Sequence, residues 1–318
     1  MNKHSKIYVA GHRGMVGSAV VRCLRNVGFD DLILRTSQEL DLTRQADVEQ
    51  FFLDEKPDYV FLAAARVGGI MANKTYRGEF IYTNLQIQNN VIHSAWKTGV
   101  EKLLFFSSSC VYPRLCPQPM KEEYLWTGLL EPTNEPYAVA KLAGMSLCRA
   151  YNEQYGTCFI SVVPTNLYGS NDNYDTQQSH VMAALIDKFH VAKIDNSPRV
   201  TLWGTGSPRR ELMYVDDAVS AALFLMEHYT GNEPVNIGVG EDRTICELAD
   251  LVQQVVRYEG EVVFDVNKPD GAPQKLLDVS RIHAMGWKAQ IPLKEGVAKA
   301  YEWYLQSGAT THRAHKSA

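Results

Sequence analysis

The sequence predicts an α/β fold: a Rossmann-type doubly wound parallel sheet with a smaller, interleaved α/β substrate-binding domain. Short runs of β-branched and aromatic residues alternate with longer helical patterns from the start of the chain. A glycine-rich turn joins the first run to the first helical pattern. Such alternation is typical of a parallel sheet with helices on both faces, so we expect that architecture for the first half of the chain.

Each predicted strand is a short apolar run, and each predicted helix is a longer segment with apolar residues at helical spacing. The predicted strands cover residues 7–10, 32–34, 59–62, 103–106, 160–163 and 234–238. The predicted helices cover about 15–27, 45–54, 84–98, 137–155, 178–192, 216–229, 244–257 and 293–305.

The regular alternation weakens after about Gly169, where polar loops begin. This change predicts a division of the chain into two domains and a tail. We expect a nucleotide-binding Rossmann domain over 1–168 with a returning segment at about 212–240, a substrate-binding domain over 169–211 and 241–306, and a polar tail over 307–318.

The composition indicates a globular protein that binds a small molecule. Of the 318 residues, 45% are hydrophobic, which is enough for a large core. The 32 Lys and Arg residues are scattered and are balanced by 36 Asp and Glu residues, so we expect no nucleic-acid or membrane partner. No apolar run approaches a membrane span, and the six cysteines lack Cys-x-x-Cys pairs. We expect a cytoplasmic protein with reduced thiols and, because no ligand cluster is visible, no metal site.

The glycine turn reads Gly11-His12-Arg13-Gly14-Met15-Val16-Gly17. Glycines at this spacing permit a tight turn and a close approach of backbone to a pyrophosphate, which the helix N-terminus then stabilises. A plain turn is the competing interpretation, but the context of strand, turn and helix favours dinucleotide binding. Arg35 follows the second strand where an NAD site usually has an acidic residue. Arg13 and Arg35 therefore favour the 2′-phosphate of NADP(H), with two solvated arginines as the alternative.

Small or polar residues at other strand ends are weaker candidates for cofactor contacts. Asp41 and Leu42 follow the second strand and are placed to border the adenine. Ala64 lies in an alanine run after the third strand, where a cofactor would cross the sheet edge. Each of these assignments is weak when it is taken singly.

Tyr137 and Lys141 are spaced four residues apart on a predicted helix and therefore share one face. An ammonium beside the phenol favours the ionised tyrosine, which would make it a usable proton donor to a carbonyl. Ser108, after the fourth strand, is placed to hold the same carbonyl oxygen. Cys110 is not needed for hydride transfer, but its thiol can move protons on a neighbouring carbon. A surface pair of tyrosine and lysine is the alternative.

Two further side chains have competing interpretations. His180 begins a helix after a polar loop and is either a functional group or a capping residue. Arg210 is suited to clamp a diphosphate, and a salt bridge with Glu211 or Asp216 is the competing account.

Several segments together resemble the GDP-L-fucose synthase family of the extended short-chain dehydrogenase/reductase superfamily. The resemblance runs from about Lys6 to Leu305 and includes segments that are far more specific than the glycine turn. These segments are the glycine turn itself, Ser108-Ser109-Cys110-Val111-Tyr112-Pro113, Glu131-Pro132-Thr133-Asn134-Glu135-Pro136-Tyr137, Pro164-Thr165-Asn166-Leu167-Tyr168-Gly169 and Lys268-Pro269-Asp270-Gly271.

The resemblance implies an NADPH-dependent enzyme that epimerises GDP-4-keto-6-deoxy-D-mannose at C3 and C5 and then reduces its C4 ketone. It implies that Ser108, Tyr137 and Lys141 form a reduction triad, with Lys141 also on the nicotinamide ribose. Cys110 would be the base and His180 the acid of epimerisation. The residues implied to contact the cofactor beyond the glycine turn are Pro164, Thr165, Asn166, Leu167 and His180. Those implied to contact the GDP-sugar are Asn166, Lys188, Trp203, Arg210, Asp270 and Lys275.

The family also implies a homodimer, formed through the helices over 84–98 and 137–155. Asp187-Lys188 and Gln274 depart from the family by replacing arginines, and Phe106-Ser107 departs in the serine segment. These changes put substrate affinity in doubt more than reaction type. Two other hypotheses stay open: a related sugar-nucleotide 4-epimerase or 4-reductase, which needs no thiol, and a non-catalytic NADP-responsive binding protein.

Overall fold

The computed structural model describes residues 1–175, 179–268 and 270–307. The strands are β1 (Ile7–Ala10), β2 (Leu32–Ile33), β3 (Tyr59–Leu62), β4 (Lys102–Phe106), β5 (Phe159–Pro164), β6 (Asn166–Tyr168), β7 (Arg199–Trp203), β8 (Arg209–Tyr214), β9 (Val235–Ile237), β10 (Asp242–Thr244), β11 (Glu261–Asp265) and β12 (Gln274–Lys275). The helices are α1 (Met15–Asn26), α2 (Gln45–Glu55), α3 (Ile70–Thr75), α4 (Arg77–Lys97), α5 (Glu135–Tyr155), α6 (Val181–Ile194), α7 (Val215–His228), α8 (Ile245–Val256), α9 (Ser280–Ala284) and α10 (Leu293–Gln306).

A parallel sheet of six strands, in the order β2-β1-β3-β4-β5-β9, organises the first half of the chain. Strands β1, β4 and β5 are buried along their whole length, because helices cover the sheet. Helix α4 packs against α5, and α1 packs against α7. The predicted doubly wound α/β fold is confirmed.

Most predicted elements of this half lie within a few residues of their predicted bounds. Leu34 lies outside β2, and α4 begins seven residues before the predicted start at 84, preceded by the unpredicted α3. The helix that was predicted over 178–192 begins at Val181, and its first predicted residue lies outside the described residues, as do Pro269 and residues 308–318 of the predicted tail.

The second half builds a smaller set of strands over a second hydrophobic cluster. Strand β8 pairs with β6, β10 and β12, while β7 pairs with β11. Buried side chains of α6, α8 and α10 form the cluster, which is separate from the core of the central sheet. The chain returns to the central sheet through α7 and β9, whereas β8 belongs to the smaller sheet.

Within the described ranges, no helix combines the length and the apolar character that crossing a membrane requires.

Candidate active site

The glycine turn between β1 and α1 is closed so tightly that side chains are excluded from it. Gly11 has φ +85°, and a Cβ there would lie 2.7 Å from the Ala64 Cα. A Cβ on Gly17 would lie 2.1 Å from the Gly11 carbonyl oxygen. Gly14 caps α1 and donates its N–H to that same oxygen at 3.0 Å. The first turn of α1 therefore presents backbone N–H groups that no side chain at the glycine positions obstructs. Binding of an anionic diphosphate requires such groups.

A polar atom without a partner lies in the same turn. His12 Nδ1 is buried and has no hydrogen-bond partner among the described residues. Burial lowers the pKa of His12, and the neighbouring Arg13 acts in the same direction. Three other side chains of this turn remain at least partly exposed to solvent: those of Arg13, Met15 and Val16. The turn thus combines a close backbone approach with an unpaired ring nitrogen, which fits a dinucleotide.

Arg35 is already engaged in an ion pair. Its guanidinium lies 2.6 Å from Glu55 Oε1, and both side chains are partly exposed. Glu39, which the sequence analysis missed, stands near the same arginine. The Thr36 backbone N–H donates to Glu39 at 2.8 Å, and this bond holds the pKa of Glu39 low, with smaller contributions from Arg35 and Arg13. The Thr-x-x-Glu spacing was the available sequence signal for this turn.

The remaining cofactor candidates are Asp41 and Leu42, predicted to border the adenine, and Ala64, predicted to lie where the cofactor crosses a strand end. Asp41 is exposed and accepts hydrogen bonds from the N–H and the hydroxyl of Thr43 at 3.0 and 2.7 Å. Leu42 is half-buried, and its carbonyl accepts from the Asn90 side chain at 2.9 Å. Ala64 lies directly against Gly11, as described above.

Residues 164–167 connect the central sheet to the smaller sheet. Pro164 ends β5, and Thr165 donates its backbone N–H to the Ile237 carbonyl. The Thr165 hydroxyl and the Asn166 amide both donate to the Glu211 carbonyl, at 3.2 and 3.1 Å. Leu167 is half-buried in β6. These bonds fix the carboxyl end of β5 beside β8.

Ser108, Tyr137 and Lys141 meet at the carboxyl end of β4. Ser108 Oγ accepts from the Cys110 backbone N–H at 3.4 Å and opens a short 3₁₀ turn. The Lys141 Nζ donates to the Phe106 carbonyl at 2.7 Å, which ties α5 to β4. The same Nζ lies 5.8 Å from the centre of the Tyr137 ring.

The expected ionisation of Tyr137 is wrong for this arrangement. Burial raises the pKa of Tyr137 far above its ordinary value, and the charge on Cys110 adds to that effect. Burial also lowers the pKa of Lys141 to about 8, against a smaller opposing effect of Cys110. The Lys141 ammonium binds a carbonyl, so burial decides the ionisation of the phenol. Tyr137 therefore holds its proton and can donate a hydrogen bond.

The charge of one lysine, Lys275, affects the pKa of both Cys110 and His180. Cys110 is 8% exposed, and burial raises the pKa of its thiol. The Ser108 hydroxyl and the charges of Lys275 and Lys141 oppose this rise in pKa. His180 occupies the N-cap of α6, where surrounding protein and Lys275 lower the pKa of its imidazole. The charge of Lys275 thus lowers the pKa of both the thiol and the imidazole.

The candidate substrate residues lie around this site on the smaller sheet. Trp203 is 63% exposed at the end of β7, with Lys188 Nζ 5.9 Å and Lys268 Nζ 5.7 Å from its ring centre. A flat exposed ring between two cations suits a nucleobase next to phosphates. Asp187 is buried and accepts from the Tyr304 hydroxyl at 2.9 Å, so Lys188 is the member of this pair near Trp203.

Arg210 has neither of the salt bridges that competed with a diphosphate role. Its guanidinium donates to the carbonyls of Arg209 and Ala272, at 2.7 and 2.6 Å. Glu211 instead accepts backbone N–H groups, and Asp216 pairs with Arg22 at 2.7 Å.

The turn that follows β11 helps to hold the region around Trp203 and Arg210 in place. Asp270 accepts from the backbone N–H and the hydroxyl of Thr205, at 2.9 and 2.8 Å, and thereby links two loops. Gln274 donates to Asp242 at 2.6 Å, and β12 places Lys275 beside Arg210 in the pairing with β8. Among the residues that the structure describes, no group of three or more His, Cys, Asp or Glu side chains could hold a metal ion.

Comparisons relate the chain to nucleotide-sugar enzymes. A family model described as the NAD dependent epimerase/dehydratase family matches residues 7–238. GDP-L-fucose synthase 1 of Arabidopsis thaliana is 56% identical over 306 residues, which cover 96% of this chain and 95% of that protein. A solved GDP-L-fucose synthetase from Naegleria fowleri bound to NADP is 28% identical, with a TM-score of 0.91, and the match covers 98% of this chain and 97% of that one. A solved GDP-6-OMe-4-keto-L-xylo-heptose reductase from C. jejuni is 41% identical, with a TM-score of 0.91, and the match covers 96% and 99%.

Proposed function

Because the chain belongs to the NAD-dependent epimerase/dehydratase family, and within it to the GDP-L-fucose synthases, we propose that it converts GDP-4-keto-6-deoxy-D-mannose to GDP-L-fucose. The enzyme epimerises C3 and C5 and reduces C4 with NADPH. The observation that carries this proposal is the grouping of a tyrosine–lysine pair with Cys110 and His180, since reduction alone needs no thiol.

The assignment of NADPH as the cofactor depends on the glycine turn. Gly11 and Gly17 let the turn close against neighbouring backbone, and the amides of the first turn of α1 would hold the diphosphate of a bound cofactor. Arg13 and Arg35 supply positive charge for a 2′-phosphate. NADPH, when bound, supplies the hydride for C4.

Arg35 is expected to decide between NADPH and NADH. Replacing Arg35 by alanine removes a charge-assisted contact worth about 1.5–3 kcal/mol, so we expect kcat/KM for NADPH to fall by about 10- to 100-fold. The value for NADH should change little. Arg44→Ala, which removes an exposed arginine that pairs with Asp41 at 3.7 Å, is the matched control. An equal loss with both cofactors would contradict the role of Arg35.

The site's hydroxyl groups serve all three steps. Ser108 and Tyr137 donate hydrogen bonds to the C4 oxygen, which stabilises the enolate formed when a proton leaves C3 or C5. Cys110 removes that proton, and His180 returns one on the opposite face. Because burial favours thiol and neutral imidazole, the catalytic pair of thiolate and imidazolium forms by moving one proton from Sγ to the ring. In the final step Tyr137 protonates the C4 oxygen.

Loss of the charge on Lys141 at high pH is expected to limit the rate of the reduction. Burial lowers its pKa to about 8, so the ammonium is present below that pH and is lost as the pH rises through it. We therefore expect kcat/KM for 4-reduction, which reports the ionisation of the free enzyme, to decline above about pH 8. Lys141→Arg should remove this decline, because a guanidinium stays charged. Superimposable pH profiles of the two proteins would contradict this role.

We also propose a cytoplasmic homodimer and a two-domain division at about residue 168. Helices α4 and α5 pack together and, with α2, border a cavity of about 360 Å³ on their outer side. Tyr82 and Tyr155 are exposed on these helices, as apolar interface residues would be in a monomer. The two separate hydrophobic clusters support the domain division, and six free cysteines fit a reducing compartment. Light scattering of the purified protein tests the dimer.

The decisive assay mixes the purified protein with GDP-4-keto-6-deoxy-D-mannose and NADPH, follows the loss of NADPH absorbance and identifies the product. GDP-L-fucose is the expected product. GDP-rhamnose alone would replace the proposal by a 4-reductase without epimerase activity; the C. jejuni neighbour is named as a reductase of a GDP-linked 4-keto sugar. Absence of any reaction would overturn the proposal.

A further inference from the structure

A small cavity lies beside Cys110, between the 3₁₀ turn after β4 and the strand β12. Its volume is about 40 Å³. Cys110, Glu131 and Lys275 line it together with the uncharged side chains of Gln118 and Met120. Arg114 also lines the cavity, and its guanidinium pairs with Glu131 at 3.4 Å. The cavity therefore brings together one thiol, one carboxylate and two cationic side chains from distant parts of the sequence.

Several charged side chains around this cavity affect one another's ionisation. Lys275 and Lys141 are the cations that lower the pKa of the Cys110 thiol, and the Ser108 hydroxyl acts in the same direction. Lys275 is acted on by Cys110 and Glu131, which favour its charged form, while burial and Arg210 disfavour it. Lys275 thus shares a cavity with the thiol and with Glu131, whose carboxylate is already paired with Arg114, and its burial strengthens its interaction with a thiolate.

We propose that Lys275 is the counter-ion of the Cys110 thiolate and so sets the fraction of that thiol available as the base of epimerisation. Lys275 acts through Cys110 and is a positioning residue. The proposal rests on the proposed function, in which Cys110 is the base.

Lys275 differs in this respect from Lys141, the other cation near the thiol. The Lys141 Nζ donates to the Phe106 carbonyl at 2.7 Å, which fixes it on the side of the reduction triad. Lys275 lines the cavity of Cys110 itself. If Lys275 only contacted the diphosphate of the substrate, its removal would raise KM and leave the ionisation of the free enzyme's thiol unchanged.

The test measures that ionisation without any substrate. Iodoacetamide alkylates the thiolate, and mass spectrometry of the peptide that contains Cys110 separates this reaction from the other cysteines. The rate is measured against pH for the full-length wild type, Lys275→Met, Lys275→Gln and Lys275→Arg. Lys121→Gln is the matched control, because Lys121 is an exposed lysine beside Met120 that does not line the cavity. Because iodoacetamide is uncharged, the midpoint of the profile reports ionisation, whereas access to the thiol changes only the plateau.

We expect the midpoint to rise by about one pH unit or more in Lys275→Met and Lys275→Gln, which lowers alkylation at neutral pH by about tenfold. Lys275→Arg should return the midpoint towards that of the wild type, and Lys121→Gln should not move it. Circular dichroism and NADPH binding verify that each variant is folded. Unchanged midpoints in the folded Lys275→Met and Lys275→Gln proteins would overturn the proposal. This outcome is independent of whether the enzyme makes GDP-L-fucose, because no sugar is present.

Discussion

Replacing Tyr137 by phenylalanine is expected to lower kcat for 4-reduction by a factor on the order of 10²–10⁴. The phenol is the group that protonates the C4 oxygen, and burial raises its pKa, which favours the protonated form. Phenylalanine retains the ring and its edge-to-face packing on Phe80, whose centre lies 6.4 Å away, so the fold should persist. Steady-state oxidation of NADPH in the presence of the keto-sugar measures the loss.

The same substitution should also slow epimerisation, because one oxygen site serves every step. Solvent deuterium incorporation at C3 and C5 should therefore fall together with 4-reduction. Tyr155→Phe is the matched control, since Tyr155 is an exposed tyrosine at the end of the same helix. NADPH binding, followed by fluorescence, should be retained. Full activity in Tyr137→Phe would refute the reductase assignment.

The central sheet could be predicted because each of its strands carries its own signal. In β1 and β5 every residue is buried, so an unbroken apolar run marks the strand without knowledge of its partners. Strand β8 begins with Arg209, Arg210 and Glu211, and it pairs with three segments that are distant in sequence. No local pattern specifies such pairing, and β8 was therefore missed.

For the site as well, features that depend on a short segment could be predicted from the sequence, whereas features that depend on long-range contacts could not. The Tyr137–Lys141 pair and Cys110 were visible in short segments, because their spacing and strand-end position carry chemical meaning. The pKa of Tyr137 was predicted in the wrong direction because burial, which dominates it, is a property of the folded chain. The shared cavity of Lys275 and Cys110 was invisible for the same reason, since it depends on long-range contacts: β12 pairs with β8, and Leu276 hydrogen-bonds to Gln118 and Met120 in the loop that follows Cys110.

Replacing Cys110 by serine is expected to lower solvent deuterium incorporation at C3 and C5 by a factor on the order of 10²–10⁴ while direct 4-reduction persists. Serine fits the space of the buried thiol, but its hydroxyl does not ionise near neutral pH and cannot act as the base. Reduction needs only Ser108, Tyr137 and Lys141, all of which remain. The product should change from GDP-L-fucose to GDP-rhamnose, which sugar analysis distinguishes.

Cys116→Ser is the matched control for this substitution, because Cys116 is a free, half-buried cysteine on the same loop. It should retain the wild-type product and rate of exchange. If Cys110→Ser exchanged deuterium at the wild-type rate, the base would be another group, and the electrostatic pairing of Cys110 with Lys275 would have no part in epimerisation. If it lost 4-reduction as well, the thiol would be needed to hold the C4 oxygen site, since the Cys110 backbone N–H donates to Ser108 Oγ at 3.4 Å and a change at residue 110 can move that hydroxyl.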